Sequence, residues 1–204
     1  MGKSFTDKEK SIIESALLEQ GKTLFGTIGL RKTTVEDLTT AANIAKGSFY
    51  TFFESKEALY FEIFRREEKK LKGRVLITLH SGELSANTFK EFLLDAFHMI
   101  GENPIIRRMY LEDEYAQLKR KLPQSYLDEH TSEDISELTP LIEQWQASGK
   151  MIHRDPGIIT SAIRAFFLMI LHKDDLGADH FHDTAELLAE SLANQLIRED
   201  QASD

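Results

Sequence analysis

The sequence predicts an all-α protein. Only four prolines and eleven glycines interrupt its 204 residues. Apolar residues recur at three-to-four spacing over most of the length, and no run alternates apolar with polar for long enough to make a strand. With no cysteine, the chain lacks the means for a disulfide framework, a thiolate metal site or a cysteine nucleophile. No stretch approaches the ~18–20 apolar residues of a membrane span, and the opening Met1-Gly2-Lys3-Ser4-Phe5-Thr6 lacks a leader's apolar run. The expectation is a cytoplasmic protein with no membrane partner.

Element by element, Thr6 with Glu9 forms a capping box. Ile12, Ile13, Ala16, Leu17, Leu24 and Phe25 then mark a first helix that Gly29 ends. A short second helix spans 34–41, capped by Thr33 or Thr34, with Val35 and Leu38 inward. Asn43 breaks the pattern because Asn tolerates the left-handed region. Residues 45–53 form a third short helix, and a long fourth starts near Ser55 and runs to His80, where Ser81-Gly82 stops it. Phe89, Phe92, Leu93, Ala96, Phe97 and Ile100 give the next helix a wide apolar face, and Pro104 opens another. Pro123 starts a segment reaching Gly149, in which Pro140 should kink or split the helix. The last two helices are read at 158–172 and 184–197.

Net charge is −9, which argues against a nucleic-acid partner until it is divided along the chain. Residues 1–60 carry eight basic and eight acidic side chains, and the remainder carries the whole excess. A local DNA footprint at the N-terminal end is therefore compatible with the acidic average.

Two short helices joined by about three residues, with Ile44 inward in the turn, make a helix-turn-helix. Ala41, Ile44, Phe49 and Phe52 or Phe53 would lock them together. The outer face would carry Lys46, Gly47, Ser48, Tyr50 and Thr51. Such a face offers an ammonium for phosphate, hydroxyls for phosphate or base edges, and a glycine that permits close approach.

Leu24-Phe25, Gly29, Thr33-Thr34-Val35, Leu38, Ala42, Ile44, the run Lys46 to Phe53, and Ser55-Lys56-Glu57-Ala58-Leu59 stand in one gapless order. This stretch, about a fifth of the chain, resembles the DNA-binding head of the tetracycline-repressor (TetR) family. The resemblance implies a homodimeric, non-enzymatic transcription regulator, most often a repressor, that binds a palindromic operator and responds to a small effector. It implies phosphate contacts at Thr33 or Thr34, Tyr50 and Lys56, and base-reading positions at Lys46, Gly47, Ser48 and Thr51. A head at 1–54 and an effector-binding, dimerising body at 55–204 follow from it.

Three positions depart from the family pattern. Asn43 stands where the turn usually has Gly, Ala45 where the recognition helix usually opens on Ser or Thr, and Gln20-Gly21 where helix 1 usually has a small pair. The second forfeits a cap of ~1 kcal/mol, and mid-helix Gly costs ~1 kcal/mol relative to Ala.

In the body, the apolar residues around 158–170 cover too much of the helix for one core face, so Ile163, Phe166 and Ile170, with Leu188 and Leu192, are candidate dimer contacts. Phe92, Phe97, Met109, Tyr110, Trp145 and Phe167 are candidate walls of an effector site, with His98 or Arg107 as polar partners. Their character suits an apolar or aromatic ligand. His172, Asp174, Asp175, Asp179, His180, His182 and Asp183 are the right residue types for a divalent metal. They fall in a polar interhelical segment, where solvation is the ordinary state, so neither metal nor other cofactor is expected. His182-Asp183 also matches the adjacent pair of the all-helical HD phosphohydrolases, but no upstream His and Asp set accompanies it.

Overall fold

The computed structural model describes residues 5–80, 83–111, 114–169, 176–177 and 179–198, without the side chains of 75, 76, 78–80, 111 and 131–137. The helices are α1 (Asp7–Lys32), α2 (Val35–Ala41), a 3-10 helix (Lys46–Thr51), α3 (Lys56–His80), α4 (Ala86–Glu102), α5 (Pro104–Leu111), α6 (Glu114–Lys121), α7 (Gln124–Ala147), α8 (Pro156–Leu168) and α9 (Phe181–Leu196). Among the described residues, extended pairing amounts to a single bridge between Met151 and Ile197. The all-α expectation holds.

Local chemistry explains most boundaries. Thr6 accepts from the Glu9 amide while the Glu9 carboxylate accepts from the Thr6 amide at 2.8 Å, as the box requires. Gly29 has φ +82° and lies outside helical geometry, so α1 is two helical pieces joined at a kink. Asn103 caps α5, accepting from the Ile105 and Ile106 amides. Asp155 caps α8 ahead of Pro156 in the first turn. Gly149, at φ +76°, ends the run after α7.

Three expectations need adjustment. Residues 46–51 wind as a 3-10 helix with no side-chain cap at Ala45. The tighter winding suits a short uncapped piece. Helix α7 runs through Pro140 without splitting. Helix α6 separates from α5, which sequence periodicity had not distinguished. Ile12, one of the periodic apolar residues that mark the first helix, is 60% exposed. The Ser81-Gly82 stop and Ile170 lie outside the described residues.

The chain forms two compact units: residues 1–68 with 103–123, and residues 69–102 with 124–204. In the first, Leu17, Phe25, Leu30, Leu38, Phe49, Leu59 and Tyr60 are completely buried, with Phe25 and Tyr60 edge to face at 5.1 Å. Gly21 is buried here, and a Cβ on it would lie 2.9 Å from Ile63 Cδ1 and 3.3 Å from Leu59 Cδ2. The propensity cost of this glycine is thus the counterpart of a close α1–α3 approach. The second unit has a core of Phe89, Leu93, Ile142, Met151, Ile159, Ala185 and Ala189. There α4 packs on α9, and α8 packs on α7 and α9. By sequence, the first unit holds 15 basic and 14 acidic residues, and the second 10 and 20.

Candidate nucleic-acid interface

The interface is built from the first unit's core outward. Thr34 caps α2 in a second capping box: its hydroxyl oxygen accepts from the Asp37 amide at 3.1 Å, and its own amide and hydroxyl donate to Asp37 Oδ2 at 2.9 and 2.7 Å. These hydrogen bonds hold the Asp37 carboxyl below its ordinary pKa, the Thr34 hydroxyl contributing most. The α2 helix ends where Asn43 takes φ +54°, and the Ile44 amide then donates to Thr39 O at 2.9 Å. This residue supplies the left-handed step of the turn without a glycine.

Beyond the turn, Phe49 is fully buried and anchors the 3-10 helix. Its ring meets Tyr50 edge-on at 5.4 Å and Phe53 at 6.1 Å. Ile44, Phe52 and Phe53 are half-buried around it, whereas Ala41, an expected lock residue, is exposed. With Phe49 pointing in, Lys46, Gly47, Tyr50 and Thr51 are exposed and Ser48 is half-exposed. Tyr50 is 59% accessible, and nothing lies within 4 Å of a Cβ built on Gly47. Lys46 pairs with Glu36 of α2 at 3.2 Å, both exposed. Such a pair yields readily to a stronger anion.

Two of the expected phosphate contacts are occupied internally. Thr33 is fully buried, and its hydroxyl donates to Gly29 O at 2.8 Å. Lys56 Nζ donates to Leu30 O at 2.8 Å and Thr33 O at 2.6 Å. Its ammonium therefore caps the C-terminal end of α1. Thr34, exposed beside it, is the accessible member of the threonine pair.

The body residues separate into two groups. Phe92, Phe97, Trp145 and Phe167 belong to, or pack against, the second unit's core. There Phe89 meets Phe92 at 5.4 Å and Trp145 at 6.3 Å. Met109 and Tyr110 are in the first unit, with the Tyr110 hydroxyl donating to Glu68 at 3.2 Å. The six thus do not gather in one unit. Sequence reasoning missed Thr160, which is 2% exposed with a hydroxyl that has no partner among the described residues. Of the dimer candidates, Ile163 and Phe166 are buried in the second unit's core and Leu192 packs against it. Leu188, a further candidate, is 40% exposed, and Ile158, Leu168 and Leu187 of the same two helices are exposed by 62%, 37% and 64%. His172, Asp174 and Asp175 lie outside the described residues, among which no group of three metal-ligating side chains converges.

The profile of the family described as "Bacterial regulatory proteins, tetR family" matches residues 17–63, the segment that carries this turn and its flanking helices. Over that segment the chain is similar to the TetR family. Among sequence relatives of the chain, the HTH-type transcriptional repressor KstR2 of Rhodococcus jostii (strain RHA1) is 34% identical over 124 residues, 61% of the chain and 60% of that protein. The HTH-type transcriptional regulator YuxN of Bacillus subtilis (strain 168) is 30% identical over 131 residues, 61% of the chain and 43% of the relative. The chain thus matches about half the length of these relatives. A TetR-family regulator of Pectobacterium atrosepticum has the same fold at a TM-score of 0.74, with 20% identity across 95% of this chain and 99% of that one. One from Marinobacter aquaeolei VT8 gives 0.59 at 14% identity, over 95% and 100%.

Proposed function

We propose that the protein is a transcriptional regulator, acting as a ligand-responsive repressor that binds a palindromic operator as a homodimer. The observation carrying this reading is the exposed face of Lys46, Gly47, Ser48, Tyr50 and Thr51 around the buried Phe49, set by the left-handed Asn43. Tyr50 and the exposed Thr34 supply phosphate contacts, and Lys46, Gly47, Ser48 and Thr51 face base edges. The distribution of charge supports it: the unit bearing this face is close to neutral, and the excess of carboxylates belongs to the other. Local contacts then carry the affinity while the acidic unit disfavours nonspecific adhesion.

The partner in the dimer is a second copy, docked through the outward side chains of α8 and α9. Four exposed large aliphatic side chains on these two helices support this, since a two-fold interface needs an apolar surface that matches itself. A symmetric dimer presents its recognition elements about 34–36 Å apart, one helical turn of DNA. An apolar or aromatic effector is held in the second unit among Phe92, Phe97, Trp145 and Phe167. A hundredfold loss of operator affinity on effector binding needs about 2.7 kcal/mol of coupling, an ordinary allosteric magnitude.

Selection from a random duplex library with the purified chain, at low and moderate salt, tests the reading. An enriched palindrome whose retention falls as salt rises is the expected result. No enrichment at either salt would overturn it. Given an operator, Lys46→Ala should weaken binding by about 1–3 kcal/mol and relax the sequence preference at the base it faces.

A further inference from the structure

The break in α1 at Gly29 is held open by two side chains from α5 and α6. A helix continuing through it would pair the Leu30 amide with Gly26 O and the Arg31 amide with Thr27 O. The first bond is replaced on both sides: the Leu30 amide donates to Glu114 Oε1 at 2.8 Å, and Gly26 O accepts from Arg108 Nε at 3.2 Å. Thr27 O accepts from Arg108 Nη2 at 3.0 Å. Past the break, the Thr33 amide and hydroxyl both donate to Gly29 O, at 3.2 and 2.8 Å.

We propose that Glu114 and Arg108 are positioning residues for the DNA-binding surface, acting as surrogate helix partners that keep α1 broken and thereby aim α2 and the 3-10 helix. This rests on the DNA-binding reading above. Three observations make it more than a local cap. Glu114 is 6% exposed, so its carboxylate sits where only a formed contact justifies it. Gly29 has φ +82°, and a Cβ there would lie 2.9 Å from Glu114 Oε1 and 3.0 Å from Arg108 Nη1, so both side chains close on the bare face of this glycine. The segment beyond the break leads, through Thr33 and Thr34, directly into the α2 capping box. Two arrangements therefore compete: a broken α1 satisfied by α5 and α6, and a continuous α1 satisfied by its own backbone. They send α2 in different directions, and the state of α5 and α6 selects between them.

The test uses the full chain and the duplex that the wild type enriches from the random library. Glu114→Ala should lose protection of the Leu30 amide in hydrogen exchange and bind that duplex at least about tenfold more weakly. Its far-UV helical signal should be unchanged. Glu114→Gln, which retains a carbonyl acceptor, should stay within about threefold of wild type. Gly29→Ala, which disfavours the broken form, should mimic Glu114→Ala, and the double variant should be no worse than either single one. Should Glu114→Ala not fold, Arg108→Lys keeps the charge but cannot fork onto Gly26 O and Thr27 O together, and its binding should fall likewise. Wild-type affinity in Glu114→Ala or Arg108→Lys, or fully additive losses in the double variant, would overturn the proposal while leaving the DNA-binding reading intact. Failure of the wild type to enrich any duplex would remove both, even with the Leu30 amide protected.

Discussion

At the residue scale, the two hydroxyls of Thr34 and Thr160 make opposite predictions. The Thr34 side chain completes the α2 box from both directions, so Thr34→Ala should cost about 1 kcal/mol in urea unfolding. The accompanying Asp37 carboxyl is held low by Thr34. A depressed folded-state pKa contributes stability that is present above the unfolded carboxylate's range and lost as pH falls through the folded value. The wild type should thus lose more stability on acidification than Thr34→Ala does, by a small margin because Asp37 is exposed. Thr160 behaves in reverse. Its buried hydroxyl lacks a partner, and replacing such a group by an isosteric apolar one removes a desolvation cost. Thr160→Val should raise the urea midpoint by an amount equivalent to about 1 kcal/mol.

At the scale of an element, the turn between α2 and the 3-10 helix depends on one conformation. Asn43→Gly should be neutral within about 0.5 kcal/mol, and Asn43→Ile should destabilise by about 1–2 kcal/mol, because a β-branched residue pays for φ +54°. Equilibrium unfolding of the two variants side by side checks this. Sequence alone disclosed this turn, as it disclosed Thr6, Gly29 and Thr34, because each signal is local: a cap, a left-handed residue, a periodic stripe. It did not disclose the 3-10 winding of 46–51, since an uncapped Ala45 and an exposed Gly47 look the same in a short α-helix. Nor could it assign Thr33 and Lys56 their internal roles, because the carbonyls they bind belong to the C-terminal end of α1, whose place against Lys56 only the folded chain fixes. Glu114 looked like one more acid in a charged stretch, and its partner amide is 84 residues away. For a related reason the sequence did not separate inward from outward apolar residues on α8 and α9. Apolar periodicity marks every buried side, and only packing reveals that Phe166 lies 6.1 Å from Phe97 inside the core while Leu187 looks outward.

At the scale of the whole molecule, the proposed dimer gives a direct prediction. Replacing Ile158 and Leu187, the most exposed aliphatic side chains of α8 and α9, by lysine should yield a monomer in sedimentation with wild-type helical content. That monomer should bind an isolated half-site but lose the cooperative advantage of the palindrome.

The replacement of main-chain bonds at Gly29 also sets an order of events during synthesis. Eighty-four residues separate the Leu30 amide from the carboxylate that receives it. At about 5–20 residues per second, roughly 4–17 s pass between the translation of one and of the other. Throughout that interval the nascent N-terminal segment has every local instruction for its caps and turn but none for the angle at which α1 breaks. On the proposal above, the surface assigned to DNA is therefore finished late, by a segment made after α4. A chimera that exchanges residues 1–54 with those of a relative should take the angle of its α1 break from whichever chain supplies α5 and α6.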